Sequence, residues 1–408
     1  MKRALVYLYS FFPYEDANTV ATMPLIQRLR QDFDVEIAAF DREGRMPAAG
    51  EYDGMRVSWI KPDPTPVNKA FIWAHAPLSD KRGAKRAALS FLRPMSRLAL
   101  TVRGNNAASV IAARHAEMHF DLIVTVSAPI DTVYTVSELK RRGRLDGCRW
   151  LAVFEDPYAG YIGNSAASDE LYADMRRVLA YADGISLTPE MYIARTRELC
   201  DSLGCPTVAI PVSAIRELPT AARSASDTAR CAYIGSLQNI AVRNPENMFR
   251  ILAAAKGVNA TLVVSAFSDE CRALYDKLLR GNPAVTLSGR ISHDECISLV
   301  GGSDILLNIG NRAENQIPSK LFEYISSGLP IVHFKCAADD PAVPLLKRYP
   351  NALVLCGAGK DECERFEKFC RECSGFRIPF DEVRRLFPEY TEEAICESFA
   401  ELYSRVMK

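Results

Sequence analysis

Short, uninterrupted apolar runs, too brief to be helices, alternate along this chain with stretches of helical periodicity, and they do so in two successive series. The first series occupies residues 4–9, 35–40, 122–126, 150–154 and 184–187; the second occupies 232–234, 261–265, 284–287, 305–308, 331–334 and 352–355. Runs that are apolar on both faces predict buried parallel strands, because such strands are covered by helices on either side. Helical patterns such as 22–30 and 130–141 supply those covers, so the chain is expected to form α/β, doubly wound sheets. Between the two series, Ile210-Pro211 and the Ala/Ser/Thr-rich stretch 219–228 read as a linker. At 408 residues the chain exceeds what one core fills. The expectation is two tandem domains, 1–210 and 211–385, followed by an amphipathic helical segment at 386–408.

Composition narrows the function classes. Acidic and basic residues balance at 50 each, which gives no global case for nucleic-acid binding. Twelve cysteines begin only at Cys148, and no second close ligand pair accompanies Cys370-x-x-Cys373. Reduced thiols are therefore expected, with no zinc site, in a reducing compartment such as the cytoplasm. The five histidines show no metal spacing, and His333 falls in an apolar run as a core residue. Lys2-Arg3 precedes an apolar run, but Pro13-Tyr-Glu-Asp16 follows at once, so the run suits a first strand better than a signal peptide. No apolar stretch reaches the roughly 20 residues that span a bilayer.

The densest chemical signal is Gln316-Ile-Pro-Ser-Lys-Leu-Phe-Glu323-Tyr-Ile-Ser-Ser-Gly328-Leu-Pro330-Ile-Val332. Pro318 presets a first helical turn, Ser319 is placed to cap it, and Lys320 adds positive charge where the helix dipole is positive. An anion suits that end. Leu321, Tyr324 and Ile325 share one face, while Gly328 and Pro330 stop the helix ahead of a strand. Glu323, one turn beyond Lys320, can accept from two vicinal hydroxyls. The bland alternative is an ordinary amphipathic helix with a proline start and a glycine stop.

This run resembles the donor-nucleotide motif of the retaining group 1 (family 4-like) glycosyltransferases, Pro-Ser-Lys-x-x-Glu-Tyr followed by Gly-x-Pro. The resemblance implies the GT-B fold, two tandem Rossmann-like domains facing a cleft, with the terminal helix crossing back to the first domain. It places the donor diphosphate on Pro318, Ser319 and Lys320 and the ribose on Glu323. In Tyr233-Ile-Gly235-Ser-Leu237, Gly235 lets a ligand approach the backbone, and Arg243 is a second phosphate ligand or else a solvated arginine before the helix near Pro245. Gly289-Arg-Ile291 matches the turn bordering the base, which puts Arg290 or Ile291 beside it.

The family carries two acids separated by seven residues; counting back from Glu323 gives Asn315, with Glu314 just before it. Either a loop shift brings Glu314 to the donor sugar or Asn315 hydrogen-bonds the sugar itself. In the first domain, Ala17-Asn18 stands where relatives carry a glycine pair, and Asn18 or Thr19 is expected either to cap the next helix or to present it to the donor. Ser127-Ala-Pro129 and Glu155-Asp156-Pro157 follow strands. Glu155 and Asp156 are the candidates to orient an acceptor hydroxyl or touch the donor sugar, with helix capping as the alternative for Asp156.

Residues 68–105 carry eight Lys or Arg against one Asp, interspersed with aromatic and aliphatic residues. Such a segment suits either peripheral docking on an anionic membrane or a pair of helices with a solvated face. The expected function is transfer of a sugar, with retention, from a nucleoside diphosphate donor to a glycan or lipid-linked acceptor in polysaccharide or glycoconjugate synthesis. UDP is favoured by its frequency in the family. No cofactor and no metal are expected, since cationic side chains can stabilise the leaving diphosphate. A nucleotide-sugar epimerase and a catalytically silent partner subunit remain as alternatives.

Overall fold

The structure is a computed structural model, which describes all residues except 14–16, 42–44, 62–95, 128–129, 158–164, 220–227, 238–239, 241 and 314, together with the side chains of 17–18, 96–106, 165–168 and 170–171. The basic segment 68–105 therefore lies outside the described residues, apart from helix backbone from Ser96. The chain divides into two compact units. One gathers the described residues up to Val212 together with Ile395–Lys408; the other holds Ser213–Ala394.

The first unit is built on β1 (Lys2–Leu8), α1 (Ala17–Leu29), β2 (Phe33–Phe40), β3 (Ala49–Tyr52), β4 (Met55–Ile60), α2 (Ser96–Met118), β5 (Leu122–Ser127), α3 (Asp131–Arg141), β6 (Arg149–Phe154), α4 (Ser165–Leu179), β7 (Gly184–Leu187), α5 (Ala194–Leu203) and β8 (Thr207–Ala209). Its sheet runs β3-β4-β2-β1-β5-β6-β7-β8, parallel except for the β3/β4 hairpin. Every expected strand is present. The hairpin is an addition, and its signal was legible: Asp53 and Gly54 have φ of 49° and 72°, the left-handed pair that an Asp-Gly hairpin turn requires. The strand order reverses between β1 and β5, so ligand crevices belong beyond those carboxyl ends.

In the second unit, β9 (Ala229–Leu237), α6 (Glu246–Ala254), β10 (Val258–Phe267), α7 (Asp269–Leu278), β11 (Val285–Ser288), α8 (His293–Gly302), β12 (Ile305–Ile309), α9 (Lys320–Ser326), β13 (Ile331–Phe334), α10 (Ala342–Arg348), β14 (Ala352–Leu355), α11 (Lys360–Cys373) and α12 (Phe380–Leu386) follow one another. The sheet order is β11-β10-β9-β12-β13-β14. That is the 3-2-1-4-5-6 winding of dinucleotide-binding domains, and all its pairs are parallel. Complete burial of β12 and β13 explains their uninterrupted apolar sequences. His333 in β13 is a core residue as expected, and both ring nitrogens are engaged, by Asn308 at 2.7 Å and Asp340 at 3.0 Å.

The last helix, α13 (Glu392–Val406), is capped by Thr391, whose hydroxyl accepts from Ala394 N–H at 3.2 Å. Ile395, Phe399, Leu402, Tyr403 and Val406 form its buried face. From Ile395 onward it belongs to the first unit. The Tyr403 hydroxyl bonds the Asp32 carboxylate, the Arg28 guanidinium lies 5.7 Å from the Tyr403 ring centre, and Phe33 meets that ring edge-on.

Gly184 makes this seat possible. A Cβ there would lie 2.4 Å from Val406 Cγ2 and 3.2 Å from Leu151 Cδ1. Gly184→Ala is expected to cost about 1–3 kcal/mol in urea unfolding by overpacking, and Val406→Ala in the same background should recover part of it. An unchanged midpoint in Gly184→Ala would show that the helix does not press on β7.

Candidate functional site

Gly235, Arg243, Asn315, Pro318, Ser319, Lys320 and Glu323 lie in or after β9 and β12, the strands between which the order of the second sheet reverses, whereas Arg290 and Ile291 follow β11 at the sheet edge. Strands β9 and β12 pair only through Ile305 with Cys231 and Leu306 with Ala232, and then part. Beyond the parting, the Tyr324 hydroxyl of α9 accepts from Ile234 N–H at 2.9 Å and donates to Ile234 C=O at 3.4 Å. Burial raises the Tyr324 phenol well above its ordinary pKa, so the proton needed for the second bond is retained. This link holds α9 against the end of β9. Gly235 follows directly, and a Cβ there would lie 2.7 Å from the Tyr233 hydroxyl, so the glycine also makes room for that folded-back side chain.

On α9, Lys320 Nζ lies 2.5 Å from Glu323 Oε2, with the side chains 31% and 19% exposed. The other carboxylate oxygen, Glu323 Oε1, is buried with no hydrogen-bond partner among the described residues. A buried acceptor left unmatched costs on the order of 1–3 kcal/mol, so this oxygen is suited to a donor from outside the protein. Ser319 does not cap the helix as expected. Its backbone is already helical (φ −57°, ψ −33°) and its hydroxyl makes no capping bond, whereas a capping side chain needs extended backbone. The first turn instead closes through Leu321 N–H to Pro318 C=O at 2.9 Å and Phe322 N–H to Ser319 C=O at 3.1 Å. At the other end Gly328 stops the helix as expected: its φ is 71°, and a Cβ would lie 2.1 Å from the Ile378 carbonyl oxygen.

Arg243 lies in the loop after β9. Its Nε and Nη2 donate to Asn311 Oδ1 at 3.1 and 2.8 Å, and Nη1 donates to the Ser236 carbonyl at 3.4 Å. It is therefore an ordered guanidinium at the switch point, not a solvated side chain. Asn311 belongs to no motif that marks it as a site residue. The available signal was a polar Asn-Ile-Gly-Asn run closing an apolar strand. Asn315 is buried in the same loop at 6% exposure, and Glu314 lies outside the described residues. Arg290 is exposed ahead of α8, and Ile291 is half-buried against the core, so its side chain is at least partly a packing residue.

In the first unit, Glu155 follows β6 and is 8% exposed, with Oε1 accepting from the Thr22 hydroxyl of α1 at 2.6 Å. Glu155 and Asp156 thus stand one strand beyond the β1/β5 reversal, not at it. Residues 158–164, which lead from Pro157 to α4, lie outside the described residues. Asn18 and Thr19 lie within α1, and Thr19 donates to the Ser10 carbonyl at 3.0 Å instead of capping. The Asn18 side chain lies outside the description. Ser127, at the end of β5, has a buried hydroxyl without a hydrogen-bond partner among the described residues.

No protein-family model and no curated protein matches this chain. Solved structures do. A sucrose-phosphate synthase from Thermosynechococcus elongatus superposes with a TM-score of 0.69 at 13% identity, covering 99% of this chain and 98% of its own. A Burkholderia xenovorans α,α-trehalose-phosphate synthase (UDP-forming), solved with glucose-6-phosphate, gives 0.64 at 8% identity over 100% of both chains. The Anabaena protein HepE, solved with UDP and glucose, gives 0.60 at 12% identity, covering 98% and 99%. With two doubly wound units and full-length agreement with these proteins, the chain has the GT-B fold.

Proposed function

We propose that this chain is a retaining glycosyltransferase that moves a sugar from a nucleoside diphosphate, UDP in the first instance, to a glycan or lipid-linked acceptor in polysaccharide or glycoconjugate synthesis. The observations that carry the reading are an ordered guanidinium, Arg243, held by Asn311 in the loop after β12, and, on the helix that this loop leads to, the Lys320–Glu323 pair, whose Glu323 Oε1 is buried with no partner among the described residues. Neighbouring structures of the same fold hold UDP, ADP or glucose-6-phosphate, which agrees with a nucleotide donor and a sugar acceptor.

In this reading the diphosphate meets Lys320, Arg243 and the turn at Pro318 and Ser319, close to Gly235. The base borders Arg290 and Ile291. As the glycosidic bond breaks, negative charge grows on the leaving diphosphate, and fixed cations stabilise that charge more than the ground state. No metal is required. Glu323 accepts from the ribose hydroxyls, Glu314 or Asn315 reads the donor sugar, Asn18 borders the donor from the first domain, and Glu155 with Asp156 orients the acceptor hydroxyl. The first domain, about 1–210, binds the acceptor and the second, about 211–385, the donor. The basic segment 68–105 docks the enzyme on the cytoplasmic face of an anionic membrane. No helix among the described residues is long and apolar enough to cross one.

Calorimetric titration tests the donor site. Lys320→Ala should weaken UDP binding by about tenfold or more, as expected for a charge-assisted contact worth about 1.5–3 kcal/mol. Glu323→Ala should weaken UDP more than free pyrophosphate. Folded Lys320→Ala protein with unaltered UDP affinity would remove the assignment.

The displaced acid is tested by kinetics. If Glu314 reads the sugar, Glu314→Ala lowers the transfer rate with UDP affinity nearly intact, and Asn315→Ala is milder. The reverse ranking assigns the sugar contact to Asn315.

Membrane docking is tested by flotation with anionic vesicles. The parent should float at low salt and release at high salt, and replacing Lys81, Arg82, Lys85 and Arg86 by Ser should abolish flotation, each contributing about 1 kcal/mol near the surface. A parent that stays unbound at low salt overturns the docking proposal.

A further inference from the structure

The structure assigns Asn311 as the positioning residue that aims Arg243 at the diphosphate without spending its charge, an inference that rests on the donor reading above. Asn311 follows β12, is 3% exposed, and works in both directions. Its Oδ1 accepts from Nε and Nη2 of the Arg243 guanidinium, at 3.1 and 2.8 Å, while its Nδ2 donates to Gln316 Oε1 at 3.2 Å and to Gln316 C=O at 3.4 Å. One residue along, Arg312 N–H donates to the Val242 carbonyl at 2.8 Å. The loop carrying Arg243 and the loop leading to Lys320 are thereby fastened together.

The residue type matters. A carboxylate at 311 would grip the guanidinium harder but cancel its charge, and ionised it has no N–H to hold Gln316. A hydroxyl offers no planar acceptor and donor pair with that reach. A neutral amide orients the cation, leaves its positive field for an anion, and uses its other end to order the next loop. The long arginine side chain is thus held before the ligand arrives, which reduces the ordering cost at binding.

Asn311 is fixed from beneath. Gly310 N–H donates to the Phe334 carbonyl at 2.9 Å, and a Cβ at 310 would lie 2.0 Å from Asp340 Oδ2. That carboxylate belongs to the buried chain Asp340, His333 and Asn308. Asp340 Oδ1 also accepts from Ala342 N–H at 3.0 Å, at the start of α10.

The test is calorimetric titration of the full chain with whichever of UDP, ADP and GDP the parent binds, and with the corresponding nucleoside. Asn311→Ala should weaken the nucleoside diphosphate by about tenfold, the scale of one lost charge-assisted contact, and leave the nucleoside unaffected. The near-isosteric Asn311→Asp, which preserves packing should the alanine variant fail to fold, should also weaken the diphosphate selectively, because its carboxylate offsets Arg243. In an Arg243→Ala background, Asn311→Ala should cause a clearly smaller loss than in the parent, since only the ordering of the Gln316 loop is then removed. Equal losses for nucleoside and diphosphate, additive losses in the double variant, or parent-like diphosphate binding in either Asn311 variant would overturn the assignment while leaving the donor site in place. A parent that binds none of the three nucleoside diphosphates overturns the donor reading and this assignment together.

Discussion

The second unit depends on one side chain completing a sheet that its backbone leaves unfinished. Strands β9 and β12 stop pairing at Ala232 and Leu306, and the Tyr324 hydroxyl then serves Ile234 as donor and acceptor together. A crevice at the reversal of a doubly wound sheet exists because the strands on either side lead their loops in opposite directions. Such a parting exposes backbone groups that must be matched. Meeting that need with a residue from α9 means that the same bonds fixing the strand end also set where Lys320 and Glu323 stand relative to Gly235. A phenylalanine at 324 would keep the packing and lose this coupling.

The fold was legible because parallel strands covered on both faces have no alternative pattern to follow. Runs such as Ile305 to Ile309 carry little besides core residues, and each expected strand was found. The β3/β4 hairpin escaped notice because its edge strand, Ala-Gly-Glu-Tyr, has no apolar run, although Asp53-Gly54 marked its turn. The site was legible where chemistry and spacing coincide, as in Lys320 and Glu323 one helical turn apart. It was opaque where function rests on contacts between distant loops. Asn311 meets Arg243 across 68 positions, and no local periodicity encodes that meeting. The capping expectation at Ser319 failed because its backbone is already helical, the first turn closing from Pro318.

The two cations of the site have partners of different kinds, and this has a chemical consequence under the donor reading. Arg243 is held by a neutral amide, so its charge stands ready before any anion arrives. Lys320 is held by Glu323, so a diphosphate must draw it away from a carboxylate. A lysine is suited to that exchange, since its ammonium swings on a flexible stem whereas a guanidinium keeps a fixed fork. When Lys320 turns to phosphate, Glu323 loses its cation and has both oxygens to offer, one of them already buried and unmatched. Vicinal ribose hydroxyls supply two donors at once. Phosphate and ribose recognition are then linked through a single ion pair. A pyrophosphate without a sugar would leave the freed carboxylate stranded, and a nucleoside without phosphates would meet a carboxylate still occupied by Lys320, so the arrangement favours the intact nucleoside diphosphate over either of its parts.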